Sequence, residues 1–325
     1  MTNILIALVV LLVIAALVQL TRVSELLAEL KNEDINEVTD GDNKTQGFLY
    51  LVVGMGFIVF VIWQMFEWNH LLLPEAASIH GAKIDVLMQF TMTMILVVFF
   101  ILTPMLFYFA YRYRGNTKNT AYFFSHNNKL ELIWTAIPTI VLTGVIIFGL
   151  KTWEETMNVD TSEAKVIEVY SEQFKWTARS SGEDNKLGNS NFKLVTAENG
   201  IGVDMQDQNS LDDKLLREVH LVVGEPVLLK FRSRDVIHSA FLPHFRVQMN
   251  CVPGLITQFA FTPTKTTKQM RQEEGEDFEY VLLCNKICGA AHYNMQMSFI
   301  VETQEEYDAW ISSQKTMTEK LLTQK

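Results

Sequence analysis

Four uncharged, strongly apolar stretches fill the first half of this 325-residue chain, from Ile4 to Thr21, Thr45 to Phe66, Val86 to Tyr111 and Leu132 to Leu150. Each is near or above the roughly 18–20 apolar residues a helix needs to cross a bilayer. In hydrocarbon only helices and closed barrels satisfy their own backbone polar groups, so four membrane-spanning helices are predicted. The first is expected to be retained rather than cleaved as a leader, since no basic residue precedes its apolar run after Met1 and no A-x-A site follows it. Pro104 and Pro138 fall inside the third and fourth spans, where neighbouring helices tolerate them.

Lysine and arginine in the short loops set the orientation. Arg22, Lys31 and Lys44 follow the first span and Arg112, Arg114, Lys118 and Lys129 follow the third, whereas Lys83 is alone after the second. The two richer loops are therefore expected in the cytoplasm. The N-terminus and everything after about Lys151 then face outward, which in a bacterium is the periplasm. The acidic stretch S-E-L-L-A-E-L-K-N-E-D-I-N-E-V between the first two spans reads as a solvated face.

From Lys165 onward the pattern changes to short β-type runs: V-I-E-V-Y, F-K-L-V, E-V-H-L-V-V, P-V-L-L-K-F, Q-F-A-F, E-Y-V-L-L and M-S-F-I-V. Such runs between polar turns predict a sandwich or barrel. Arg179 to Lys214 is polar and reads as surface loops and short edge strands. Gln304 to Leu322 carries Tyr307, Trp310 and Ile311 at helical spacing and is expected to be a helix packed on the sandwich. From residue 151 there are 19 basic and 26 acidic residues. That balance repels nucleic acid and would steer in a basic protein, although ordinary solubility accounts for it equally.

The chemistry sits in C-N-K-I-C-G-A-A-H-Y-N-M, from Cys284 to Met295, with a second histidine upstream in R-D-V-I-H-S at His238. Two thiols, imidazole and a thioether suit copper, and a weak methionine beside cysteine and histidine is the pattern of copper electron-transfer sites. Two other readings stay open on spacing alone. The cysteines could form a disulfide, or could join His238 and His292 in a structural zinc site, but both leave Met295 unexplained. Cys251 reads as a small buried residue, and His220 and His244 as structural. No C-x-x-C-H occurs, so no attached c-type haem is expected on this chain.

Together the cysteine loop, D-V-I-H-S and N-N-K-L-E-L-I-W-T-A-I-P-T-I-V-L resemble subunit II of the haem–copper cytochrome c oxidases over about Asp85 to Glu302. The resemblance implies an α + β membrane protein: transmembrane helices followed by an all-β, cupredoxin-like Greek-key periplasmic domain. The corresponding division is an extension with two helices (1–83), a helix hairpin (84–153), a cupredoxin domain (154–303) and a C-terminal helix (304–325). It further implies a dinuclear copper centre, CuA, with Cys284 and Cys288 as bridging thiolates and His238 and His292 as terminal imidazoles. Met295 and the main-chain carbonyl of Lys286 would be the weak ligands. Sharing one electron over two metals keeps bond changes small, and a rigid sandwich suits such a carrier. Glu131 corresponds to the glutamate at the cytoplasmic mouth of a proton pathway into subunit I, although a carboxylate is also favoured there by the helix dipole. The implied partners are subunit I, other membrane subunits and cytochrome c, with oxygen reduced to water in subunit I.

Two positions depart from the family pattern. Glutamate, which helps bind magnesium, usually stands between the cysteines where this chain has Lys286; the magnesium site is expected to be absent or rebuilt. In S-E-Q-F-K-W, Phe174 replaces the exposed tryptophan through which electrons arrive, while Trp176 is kept, so the donor is expected to dock differently, as a haem domain tethered in a larger complex. The alternatives are a quinol-oxidase-type subunit, disfavoured by the intact ligand set, and a membrane-anchored copper-delivery protein. The two extra helices are expected to contact other membrane subunits.

Overall fold

The apolar stretches form helices that outrun their uncharged cores: α1 (Thr2–Lys31), α2 (Asp40–Glu67), α3 (Ile79–Arg112) and α4 (Asn128–Met157). In this computed structural model residues 2–31, 34 and 37–323 are described; residues 32, 33, 35 and 36 of the acidic stretch, Met1 and the last two residues lie outside them. All four helices are long and apolar enough to cross a membrane. Part of the acidic stretch is helical, since α1 runs on to Lys31. Pro104 and Pro138 lie within α3 and α4 without ending them. A capping box starts α2: Thr39 N–H donates to the Asp42 carboxylate at 3.0 Å and Asp42 N–H to Thr39 Oγ1 at 3.2 Å.

The chain divides into two units, residues 1–69 with 95–127 and residues 70–94 with 128–325. In the first, α2 lies against the later part of α3, where Gly54 is required because a Cβ there would stand 2.1 Å from the Phe107 ring. The Tyr50 and Phe107 rings meet at 4.9 Å, and the Asp40 carboxylate accepts the Thr117 N–H at 2.9 Å.

Among its described residues the second unit holds ten strands: β1 (Lys165–Glu172), β2 (Lys175–Ser180), β3 (Lys214–Leu216), β4 (Val219–Val222), β5 (Val227–Ser233), β6 (His238–Leu242), β7 (Val247–Cys251), β8 (Thr257–Phe261), β9 (Tyr280–Cys284) and β10 (Gln296–Glu302). They form two five-stranded sheets, ordered β3-β2-β1-β5-β8 and β4-β10-β9-β6-β7. The pairs β1/β5 and β4/β10 are parallel. Period-two patterning explains the core, because alternate residues of each strand face inward. Ile167 and Val169 of β1, Leu229 and Phe231 of β5, Tyr280 and Leu282 of β9, and Phe299 and Val301 of β10 belong to one buried cluster. This is the expected cupredoxin-like fold.

Two expectations need correction. F-K-L-V is not a strand; residues Phe192–Leu194 form a 3₁₀ turn, because the Asn191 side chain accepts the Lys193 N–H at 3.0 Å and Phe192 is left exposed. Nor is Gln304 to Leu322 one helix. It breaks into α6 (Gln304–Ser313) and α7 (Met317–Thr323), since Thr316 bridges Lys214 and Met317 N–H donates to Asp213 O at 2.8 Å. Between β8 and β9 lies α5 (Thr267–Glu274).

A buried ion cluster joins β2 to the polar segment behind it. Arg179 donates to Glu168 and to Asp213 at 3.0 Å each, and Arg232 donates to Glu168 at 2.6 Å. Burial pushes the Asp213 carboxyl up to about 6, against the pull of Arg179 and the Gly188 N–H. The folded protein therefore holds this proton more tightly than the unfolded chain, whose aspartates titrate near pH 4. Stability from this group is full below about pH 4 and declines as pH rises through about 6, by on the order of 1–2 kcal/mol after screening. Thermal midpoints between pH 4 and 7 are expected to show the decline, and Asp213→Asn to flatten it.

Strand directions gather four connections at one end of the sandwich. The β1–β2 turn, and the β5–β6, β7–β8 and β9–β10 loops, all meet there, as the pairings Ser171↔Ser233, His238↔Cys251 and Ala240↔Cys284 require.

Candidate metal centre

Cys284 ends β9 and His238 begins β6, so a regular ladder fixes both backbones before any metal is considered. Asn285 N–H donates to Ser239 O at 2.9 Å, and Cys284 N–H to Met295 O at 3.2 Å, pinning the two ends of the loop together. A 3₁₀ turn over His292–Asn294 then returns the chain to β10.

Within this frame the donors fall into two half-sites. Cys284 Sγ lies 3.8 Å from His238 Nδ1 and 3.2 Å from the carbonyl oxygen of Lys286. Cys288 Sγ lies 3.6 Å from His292 Nδ1 and 3.9 Å from Met295 Sδ. The two sulfurs are 3.9 Å apart and unbonded. Among the described residues, His238, Cys284 and Cys288 form a buried group able to hold a metal ion. Met295 is buried, and His292 is half-buried. Burial, reinforced by the neighbouring Cys284 thiol, pushes the Cys288 thiol up to about 11, so its proton must leave when a metal binds. Soft sulfur with imidazole, doubled across a shared edge, fits copper.

Three residues unremarked in the sequence complete the site. Asp235 accepts from His238 Nε2 at 2.9 Å, leaving Nδ1 for a metal. Burial alone would raise the Asp235 carboxyl, but the Gln173 N–H, the His238 ring and the Val236 N–H together hold it below the usual range. Gln173 donates through Nε2 to the Cys288 carbonyl. Gly289, at φ 152°, lies so close to Gln173 and Phe174 that a Cβ would stand 2.8 Å from each. The i, i+3 spacing of D-V-I-H was a usable signal for Asp235, because metal-binding histidines commonly give their other nitrogen to a carboxylate. Asp235→Ala is expected to weaken copper binding roughly 10–100-fold in a chelator competition; an unchanged affinity would remove this orienting role.

The remaining sequence candidates lie as follows. Trp176 is buried, its ring 6.1 Å from that of His238 and its Nε1 3.4 Å from Met295 O. Phe174 is half-buried and reaches the surface beside the loop. Glu131 stands in the first turn of α4, and the side chain of Lys286 is exposed. Cys251 is buried, and its burial pushes the thiol up to about 12. His220 sits in β4, bonded to Glu302 at 2.7 Å and stacked on Trp310 at 3.7 Å.

The profile of the family described as cytochrome C oxidase subunit II, transmembrane domain, matches residues 62–152, and that of the periplasmic domain of the same subunit matches residues 167–303. The chain belongs to the cytochrome c oxidase subunit II family. The alternative cytochrome c oxidase subunit 2 of Bradyrhizobium diazoefficiens is 30% identical over 271 residues, covering 82% of this chain and 91% of that protein. The cytochrome c oxidase subunit 2 of Synechocystis sp. is 24% identical over 285 residues, covering 81% of each. The crystal structure of the periplasmic domain of subunit II of cytochrome oxidase of Bradyrhizobium japonicum is 19% identical, with a TM-score of 0.33, and covers 47% of this chain and 94% of that one. Subunit II membership makes the chain part of an oxidoreductase complex, with membrane helices and a periplasmic domain.

Proposed function

We propose that this chain is the electron-accepting subunit of a terminal respiratory oxidase in a bacterial inner membrane, with its C-terminal domain in the periplasm. Cys284 and Cys288 would hold a dinuclear copper centre, with His238 and the Lys286 carbonyl on one metal and His292 and Met295 on the other. The observation that carries this reading is the doubled half-site. Each thiol has its own imidazole within 4 Å and its own weak donor, an arrangement that a single tetrahedral zinc does not call for.

When bound, the copper pair supplies a one-electron couple whose charge is shared between two metals. The chain supplies rigidity. Asp235 holds the His238 ring, Gln173 holds the Cys288 carbonyl, and the buried Trp176 and Met295 exclude water from the inner side. Electrons would arrive from cytochrome c or a tethered haem domain and pass to haem in subunit I, where oxygen is reduced with coupled proton translocation. In that scheme Glu131 marks the mouth of a proton path, and Lys286 stands where a magnesium ligand would otherwise be.

Electron arrival is assigned to the rim of the loop. Ile287 and Tyr293 are 86% and 87% exposed, and Phe174 packs against Gly289 of the same loop. Such an apolar rim suits a haem edge presented by direct contact. Phe174→Ala is expected to slow electron uptake from the native donor while leaving the copper spectrum intact, as stopped-flow reduction would show. For the centre itself the decisive measurement is an EPR spectrum of the copper-loaded protein. One electron shared over two copper nuclei is the expected result; a mononuclear signal or bound zinc would overturn the proposal.

A further inference from the structure

The segment leading into α3 is stitched to the end of the sandwich opposite the ligand loops. Ala77 N–H donates to His244 O at 2.7 Å, Thr264 N–H to Ala77 O at 2.9 Å and Ile79 N–H to Thr262 O at 3.2 Å. The Ser78 hydroxyl donates to Phe245 O at 2.7 Å. These bonds hold the segment between the β6–β7 bend and the chain after β8, and the buried His80 ring packs 5.2 Å from that of Phe259.

Arg246 carries the attachment on into the second turn of α3. Its side chain is 8% exposed, and its guanidinium makes a two-pronged contact with Asp85 in the second turn of α3, at 2.8 Å from Nε and 2.9 Å from Nη2. The same group donates to Pro243 O at 2.7 Å and to the carbonyl of Pro74. Gly81 lets the helix backbone approach, since a Cβ there would stand 3.1 Å from Arg246 Cγ. A planar fork on a carboxylate fixes angle as well as distance, which a point charge does not.

Arg246 also lies at the bend of the β6–β7 hairpin, whose far end carries His238 paired with Cys251. The bend is stiff, because Phe245 packs at 4.4 Å from the Tyr280 ring and 5.0 Å from that of Phe261. A five-residue strand is about 16 Å long, so a tilt of about 5° at the bend moves the ligand end by roughly 1.4 Å.

We propose that Arg246 and Asp85 are a positioning pair that sets the bearing of the ligand end of the sandwich on α3, and through it the electron-transfer distance to the redox group in the membrane. The distance statement rests on the copper reading above; the mechanical lock does not. The test uses the intact oxidase carrying Arg246→Gln, Arg246→Lys or Asp85→Asn. Three quantities are read: the copper EPR spectrum, hydrogen exchange over residues 74–85, and the rate of electron passage from copper to haem after photoreduction.

The expected result is an unchanged copper spectrum, faster exchange over 74–85 and electron passage slowed several-fold, because tunnelling falls exponentially with distance. Arg246→Lys, which keeps the charge but loses the fork, is expected to fall between wild type and Arg246→Gln. An unchanged passage rate in both Arg246→Gln and Asp85→Asn overturns the proposal. So does an altered copper spectrum, which would place the pair in ligand assembly instead. If the wild-type protein gave no shared-valence spectrum the copper reading would fail, while the exchange data would still decide whether the lock exists.

Discussion

Replacing Cys288 with serine is expected to abolish the shared-valence copper spectrum and to cut bound copper by at least half, measured by EPR and metal analysis on the same sample. Cys288 Sγ stands between three other donors, 3.9 Å from Cys284 Sγ, 3.6 Å from His292 Nδ1 and 3.9 Å from Met295 Sδ. A hydroxyl is a hard donor that stays protonated, so one half-site would lose its only anion. The affinity loss should exceed the roughly 10–100-fold expected for removing an orienting carboxylate. A Cys288→Ser protein that kept a delocalised two-copper signal would remove the bridging role. The fold should survive, because the loop is held independently by the Cys284–Met295 and Asn285–Ser239 backbone bonds.

The second large effect is expected at Gly289. An alanine Cβ would meet the Gln173 amide nitrogen and the Phe174 ring at 2.8 Å, on a backbone whose φ of 152° disfavours any side chain. Backbone strain of this kind costs about 1–3 kcal/mol, and the crowding adds to it. Gly289→Ala is therefore expected to lower the thermal midpoint of the copper-free protein and to weaken copper binding together. Gly289→Ala combined with Phe174→Ala separates the ring contact from the rest: its relief should restore part of the loss, and the part not restored belongs to the backbone and the Gln173 contact. Full restoration would show that φ carries no penalty here.

The candidate donors that the structure brings together were legible because their chemistry is local. The segment C-N-K-I-C-G-A-A-H-Y-N-M places four donors in one loop, and His238 follows an acidic residue at a spacing that suits the ligand's outer nitrogen. The spans were legible because hydrocarbon imposes a length and forbids charge. Strands were read only where both period and hydrophobicity were strong. β7, V-Q-M-N-C, alternates but exposes glutamine, and β6, H-S-A-F-L, opens on small and polar residues that a ligand site and close strand pairing demand. β2 hid behind Arg179, whose charge reads as surface although the side chain is buried between Glu168 and Asp213. Long-range partners of this sort leave no trace in a single sequence. Arg246 and Asp85, 161 positions apart, are the same case.

The stacking of Trp310 on His220 has a consequence for how the protein survives outside the membrane. Among the described residues strand β4 pairs with β10 alone, which leaves it at the edge of its sheet, where an uncovered strand invites pairing with another chain. α6 packs against β4 through the stacked rings and would hinder chain-to-chain zippering there. A protein shortened at Thr303 would keep every copper donor and lose α6, so the penalty would be paid as insoluble, strand-linked oligomers with a normal metal centre.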